Sequence, residues 1–162
     1  MNDALYQLAK ETGLALKARG WMLATAESCT GGWVGEIVTA VPGSSAWYDR
    51  GFITYTNVSK QEMLGVQAQT LQQSGAVSEE TVREMASGTL LHSQANITLA
   101  ISGVAGPGGG SPGKPVGTVC FAWAVRNGVL KSERYIFDGD RYSVRHQAVE
   151  HGLRGVLALL QL

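Results

Sequence analysis

Three nucleophile-bearing side chains fall together at Ser28-Cys29-Thr30, followed at once by Gly31-Gly32. Upstream, Trp21-Met22-Leu23-Ala24 is an apolar run short enough to be a buried strand; downstream, Trp33-Val34-Gly35-Glu36-Ile37-Val38 reads as a helix start. A strand that turns sharply into a helix can expose a nucleophile at the bend. It can also gather the free N–H groups of the first helical turn around an oxyanion or a phosphate. Ser28 or Thr30 acting only as a helix cap fits the local sequence equally well.

A serine nucleophile needs a base. The chain has three histidines, His92, His146 and His151, and none stands in a usable pattern. The spacing of five between His146 and His151 puts them on different faces of a helix. No G-x-S-x-G elbow surrounds Ser28. The usual substitute is a lysine whose pKa is lowered toward roughly 7–8 by burial or cationic neighbours. Lys60 is the natural candidate, one turn past Asn57, which reads as a helix cap, and after a strand ending in Tyr55. Tyr55 can relay a proton or orient the amine. On spacing alone, Lys60 reads more simply as a solvated helix lysine and Tyr55 as strand-end packing. Cys29 is a rival nucleophile, and more simply a small buried residue beside the turn.

Two further clusters carry chemistry. Gly108, Gly113 and Lys114 match the start of the phosphate-loop pattern, but Pro115 replaces the hydroxyl residue that would bind magnesium. Pro112 and Pro115 also remove two backbone donors, and the following segment reads as a strand where that site needs a helix. A glycine-rich wall of a small-molecule pocket is the better reading. Arg141 and Arg145, four apart at the start of the last helix, can clamp a phosphate together or pair with Asp138 and Asp140.

The elements that must position these residues alternate between helix and strand. A helix is expected over 3–19, capped by Asn2 or Asp3, and a strand over 21–26. A helix follows over 32–40, then a strand over 47–55 with a possible bulge at Gly51. The spacing predicts a helix capped by Asn57 that carries Lys60, Met63 and Leu64 and ends at Gly65, then helices over 68–73 and 79–92, the last capped by Ser78. A buried strand covers 96–104, and two strands over 118–125 and 130–137 are joined by the hairpin signal Asn127-Gly128. A final helix runs from Asp140 to the end. The pattern is that of one domain spanning residues 1–162, a three-layer α/β/α sandwich around a mixed, mostly parallel sheet.

Composition bounds the function. Thirteen Lys and Arg balance thirteen Asp and Glu, which argues against nucleic-acid binding through a broad basic surface. The two cysteines make no metal-ligand spacing, and no zinc motif is present. No apolar run is long enough to span a membrane, and the first residues lack the pattern of a secretory signal. A cytoplasmic protein without a metal is expected.

Taken in order, these segments resemble the competence/damage-inducible CinA C-terminal domain family. The motifs are Ala26-Glu27-Ser28-Cys29-Thr30-Gly31-Gly32, Gly43-Ser44-Ser45, Gly51 with Tyr55, Asn57 and Lys60, and Gly75-Ala76-Val77-Ser78. Ser102-Gly103-Val104-Ala105-Gly106-Pro107-Gly108-Gly109, Lys114-Pro115-Val116-Gly117-Thr118-Val119 and Gly139-Asp140-Arg141 with Arg145 complete it. The resemblance implies a three-layer α/β/α fold and a metal- and cofactor-free amidase of nicotinamide nucleotides, commonly a homo-oligomer. Such an enzyme would convert nicotinamide mononucleotide to nicotinic acid mononucleotide and ammonia. It implies Ser28 as nucleophile and Lys60 as base with Tyr55 assisting. Backbone N–H groups near Thr30 and Gly31 would hold the oxyanion. Gly32, Asn57, Ser102, Gly106, Gly108 and Gly109 would lie on the substrate side, and Arg141 or Arg145 would balance the phosphate. Ser111-Pro112-Gly113 departs from the more polar stretch common at that place. A catalytically silent pyridine-nucleotide-binding or interaction module is the alternative reading of the same pocket.

Overall fold

A computed structural model describes residues 3–162. The order is α1 (Asp3–Arg19), β1 (Leu23–Glu27), α2 (Trp33–Thr39), a 3-10 turn at Ser44–Ala46, β2 (Tyr48–Ile53), α3 (Asn57–Leu64), α4 (Ala68–Ser74), α5 (Glu79–Leu91), β3 (Ile97–Gly103), β4 (Thr118–Val125), β5 (Leu130–Ile136) and α6 (Arg141–Leu160). The expected cap at Asn2 or Asp3 lies outside the residues whose side chains are described.

The five strands form one sheet in the order β2-β1-β3-β4-β5. β1 pairs in parallel with β2 and β3, while β3–β4 and β4–β5 pair antiparallel. Four strands therefore point the same way and β4 alone is reversed. The central strands are apolar runs because both their faces are covered. Alternation along β3 divides the core. Ile97, Leu99 and Ile101 join Leu5, Leu8, Val34, Ile37, Val144 and Leu153 from α1, α2 and α6. On the opposite face Ala100 joins Leu64, Leu71, Val82 and Met85 from α3, α4 and α5. The sandwich is three-layered, as the sequence predicts.

The second face is built from small sheet residues, Ala26, Ala100, Ala122 and Ala124. Helices can therefore approach closely, and Gly88 of α5 lies where a Cβ would overlap the carbonyl oxygen of Leu64 at the end of α3. This crossing seats α3, and with it Lys60. Gly88→Ala is expected to cost about 2–3 kcal/mol of stability, the upper range for overpacking against an unyielding partner. Denaturant titration checks this; a cost near zero would show that α3 is free to shift.

Three local expectations are corrected. β1 begins at Leu23 because the Met22 carbonyl is taken by the Asn96 and Ile97 N–H groups before regular pairing starts. The irregularity of β2 sits at Asp49, between the partners of Leu23 and Ala24, and not at Gly51. The Asp49 carboxylate there accepts from the Gln94 N–H and the Arg50 guanidinium. Thr56, not Asn57, caps α3: Ser59 N–H donates to the Thr56 hydroxyl, and Thr56 N–H donates back to the Ser59 hydroxyl.

Candidate active site

The parallel strands β2, β1 and β3 end on the same edge of the sheet, where ligands of α/β proteins collect. Ser28 follows β1 immediately, Thr54 and Tyr55 follow β2, and Ser102 is the penultimate residue of β3. A pocket of about 270 Å3 opens there, with Ser28, Lys60, Val77, Ser102 and Arg141 in its lining.

Lys60 lies at its floor. It is the fourth residue of α3, and α3 packs so that this side chain is 1% exposed. Its Nζ stands 2.9 Å from Ser28 Oγ, donates to the Thr54 carbonyl at 2.7 Å, and lies 3.4 Å from the Tyr55 carbonyl. The solvated-lysine reading is thereby overturned. Burial lowers the Lys60 pKa from 10.5 to about 8. A neutral amine has two N–H donors and one lone pair. Two carbonyls and one hydroxyl satisfy that inventory, with the lone pair left for the Ser28 proton.

Cys29, next to the serine, is excluded as a thiolate at neutral pH, because burial pushes its pKa up to about 12. Its sulfur packs near the Cα of Gly103, where a Cβ would come within 3.1 Å of it.

The turn from Ser28 to Gly32 is held from both sides. The buried Glu27 carboxylate accepts from the Thr30 hydroxyl at 2.6 Å, from Val34 N–H at 2.9 Å and from Gly35 N–H at 3.1 Å. The first N–H groups of α2 are consumed this way, so the helix N-terminus is not an anion site. Above the turn, Arg145 Nε donates to the Cys29 carbonyl at 2.9 Å and Nη2 to the Thr30 carbonyl at 3.1 Å. The Gly31 N–H is spent on the Ser28 carbonyl. The N–H groups of Cys29 and Thr30 have no partner in any other described residue.

Arg141 and Arg145 thus part company. Arg141 lines the pocket, where Nη1 donates to the Gly106 carbonyl at 2.8 Å and Nη2 to the Tyr55 hydroxyl at 3.1 Å. Neither arginine forms an ion pair with Asp138 or Asp140; Asp140 instead caps α6 through Ser143 N–H. The Tyr55 ring is exposed, and its hydroxyl reaches Arg141 and not Lys60. Ser102 is buried in the pocket wall. Gly106 contributes its carbonyl to Arg141, while Gly32, Asn57, Gly108 and Gly109 stand outside the pocket lining. Gly32 faces a separate groove beside β2, and Asn57 is exposed on α3.

The 108–114 segment has no free phosphate-loop lysine: Lys114 Nζ donates to the Ser74 carbonyl at 2.5 Å, and the chain runs on into β4. His151 meets Glu133 and His146 packs on Trp33 and Tyr142, so the histidines form no common site. No group of three or more His, Cys, Asp or Glu among the described residues is placed to hold a metal ion. No helix among the described residues is long and apolar enough to cross a membrane.

Sequence reasoning missed four contributors. The Thr54 carbonyl and the Ala76-Val77 wall act through backbone and bulk, which carry no chemical signature in sequence. Glu27 looks like an ordinary residue of a buried strand, yet a carboxylate in that position is itself a signal, since burial demands partners.

Fold and pocket define an α/β/α protein with a serine and a buried lysine in contact at the carboxyl edge of its parallel strands. Residues 5–160 match the CinA C-terminal domain family. The nicotinamide-nucleotide amidohydrolase PncC of Escherichia coli K12 is 53% identical over 155 residues, covering 95% of this chain and 94% of that one. The protein of the same name from Pseudomonas putida is 49% identical over 157 residues, covering 97% and 98%. Among solved structures, the competence/damage-inducible protein CihA of Agrobacterium tumefaciens superposes with a TM-score of 0.95 at 42% identity, covering 100% of this chain and 98% of that one. A CinA superfamily protein of Escherichia coli gives 0.92 at 36% identity, covering 98% and 93%. The chain belongs to the CinA C-terminal domain family, and with these relatives it is an amidohydrolase.

Proposed function

We propose that this chain hydrolyses the carboxamide of nicotinamide mononucleotide to nicotinic acid mononucleotide and ammonia. The observation that carries this reading is the 2.9 Å approach of Lys60 Nζ to Ser28 Oγ at the bottom of the pocket. The names borne by its relatives supply the substrate.

Ser28 Oγ attacks the carboxamide carbon as its proton passes to Lys60 Nζ. The oxyanion that forms is held by the Cys29 and Thr30 N–H groups, which no protein acceptor occupies. The Lys60 ammonium then returns its proton to the departing nitrogen, and ammonia leaves an ester on Ser28. Water attacks that ester with neutral Lys60 again taking the proton; the bond to Ser28 Oγ breaks, Lys60 returns that proton to Ser28 Oγ, and the acid leaves as its carboxylate, its own proton going to solvent. Tyr55 assists by its carbonyl, which helps hold the amine, and by its hydroxyl, which supports Arg141. The Ser102 hydroxyl faces the same pocket and is placed for the substrate amide.

Arg141 is the phosphate partner in this reading, since it alone of the two arginines lines the pocket. Arg141→Gln is expected to raise KM for the mononucleotide about 10- to 100-fold, the worth of charge-assisted hydrogen bonds, and to leave KM for nicotinamide riboside nearly unchanged. Measuring released ammonia with both compounds tests substrate and assignment together. No ammonia from either compound with the wild-type protein would sink the reading.

A further inference from the structure

We propose that Arg145 is a positioning residue of the hydrolysis, holding the Cys29–Thr30 peptide so that its N–H faces the oxyanion. The inference rests on the reading of Ser28 as nucleophile.

Arg145 sits one helical turn after Arg141 on α6, yet its guanidinium turns onto the nucleophile turn. Nε donates to the Cys29 carbonyl and Nη2 to the Thr30 carbonyl, and the guanidinium carbon lies 5.5 Å from the centre of the Trp33 ring. In a planar trans peptide the C=O and N–H point in opposite directions. A Cys29 carbonyl drawn toward α6 therefore sets the Thr30 N–H pointing away from it. The preceding peptide is fixed in the same manner, because the Ser28 carbonyl accepts from Gly31 N–H at 3.1 Å. The carbonyls of Ser28, Cys29 and Thr30 are all occupied, while the successive N–H groups of Cys29 and Thr30 have no partner in any other described residue. Two adjacent N–H groups left free in a turn make a concavity for an anion.

The turn is short and glycine-rich on one side, with Gly31 at φ +59° and Gly32 at φ +104°. A flip of the Cys29–Thr30 peptide would replace a donor by a carbonyl oxygen and repel the oxyanion. Arg145 opposes that flip by charge-assisted bonds to two consecutive carbonyls. Its charge also polarises the peptide and strengthens the N–H as a donor. Glu27 completes the clamp from beneath by holding the Thr30 hydroxyl. No carboxylate among the described residues pairs with Arg145, so its interactions there are spent on this turn and on Trp33.

The test compares wild type, Arg145→Gln and Arg145→Lys in ammonia release from nicotinamide mononucleotide and its riboside. In parallel, a fluorophosphonate probe is used to label Ser28. In that labelling the Ser28 Oγ–P bond forms, fluoride leaves, and the hydroxyl proton passes to Lys60; the phosphonyl oxygen takes the oxyanion position. Arg145→Gln is expected to lower kcat about 10²-fold, the scale of one lost oxyanion donor, with KM within about twofold. The loss should be equal for both substrates, and labelling should slow in parallel. Arg145→Lys, which keeps the charge and the stack on Trp33, should recover part of the rate, and it serves as the test variant if the glutamine variant does not fold. A rise in KM confined to the mononucleotide, or labelling at the wild-type rate, would overturn the proposal. If the wild type releases no ammonia from either compound but is labelled in an Arg145-dependent way, the substrate reading fails and the positioning role stands.

Discussion

Ser28→Ala is expected to abolish ammonia release, by about 10⁴-fold or more, without unfolding the protein. The size follows from the chemistry: removing the nucleophile of an acyl-transfer site leaves only the contributions of binding and oxyanion stabilisation. Little structural loss is expected because, among the described residues, the Ser28 hydroxyl bonds only to Lys60, while its backbone is held by the Ile101 carbonyl and by Gly31 N–H. Cys29 cannot substitute, since its buried thiol stays protonated at neutral pH. Steady-state rates, with circular dichroism as the folding control, check the prediction. Retention of more than a tenth of the wild-type rate would remove Ser28 from the mechanism.

Lys60→Met is the second large effect, expected to cost about 10²–10⁴-fold in kcat, the usual worth of a general base. The wild-type pH profile carries the same information. The active form is the neutral amine, and burial has brought its pKa down to about 8. The value of kcat/KM should therefore climb as pH rises toward 8 and level off above it, and Lys60→Met should lose this limb. A flat profile between roughly pH 6 and 9, the range over which such a base titrates, would contradict the assignment.

The same shift has a consequence for stability. The folded pKa lies below the unfolded one, so the native state carries the full cost of Lys60 below about pH 8 and is relieved of it as pH rises toward 10.5. Relative to Lys60→Met, the wild type should gain on the order of 3 kcal/mol across that window, at 1.36 kcal/mol per pKa unit. Denaturant titrations of both proteins at pH 7 and at about pH 10.5 check the sign, which is opposite to that of a lysine stabilised by a salt bridge.

Much of the scaffold is written locally. β1, β3 and β4 announce themselves as apolar runs, and Asn127-Gly128 marks the hairpin, although the tight turn centres one residue earlier, on Arg126 and Asn127, with Gly128 N–H donating to the Val125 carbonyl and Asn127 at φ +59°. The caps at Ser78 and Asp140 follow from residue type. The α3 cap falls one residue before Asn57, out of reach of the usual sequence signal because Ser59 fills the reciprocal position that Glu or Gln more often occupies.

The site was legible only in part. Ser28 and Lys60 stand out by their chemistry, once no histidine is placed to serve. Whether Lys60 is wet or dry is not in its spacing: its neighbours Asn57, Val58 and Met63 are exposed, and burial comes from the seating of α3 over Ser28. Arg141 and Arg145 share a helix face by their spacing, but only tertiary contact decides that one meets Tyr55 and the other the turn carbonyls. Sequence offers only the side chain of Tyr55 as its chemistry, whereas its carbonyl is what approaches the amine.

Covalent catalysis by Ser28 with Lys60 as base can be caught by turning over nicotinamide mononucleotide in the presence of hydroxylamine. An ester on Ser28 must partition between water and the added nucleophile after ammonia has left. The hydroxamate of nicotinic acid mononucleotide is expected to replace part of the acid as hydroxylamine rises, and Ser28→Ala is expected to yield neither product. Acid as the sole product at every hydroxylamine concentration, or undiminished turnover by Ser28→Ala, would contradict it.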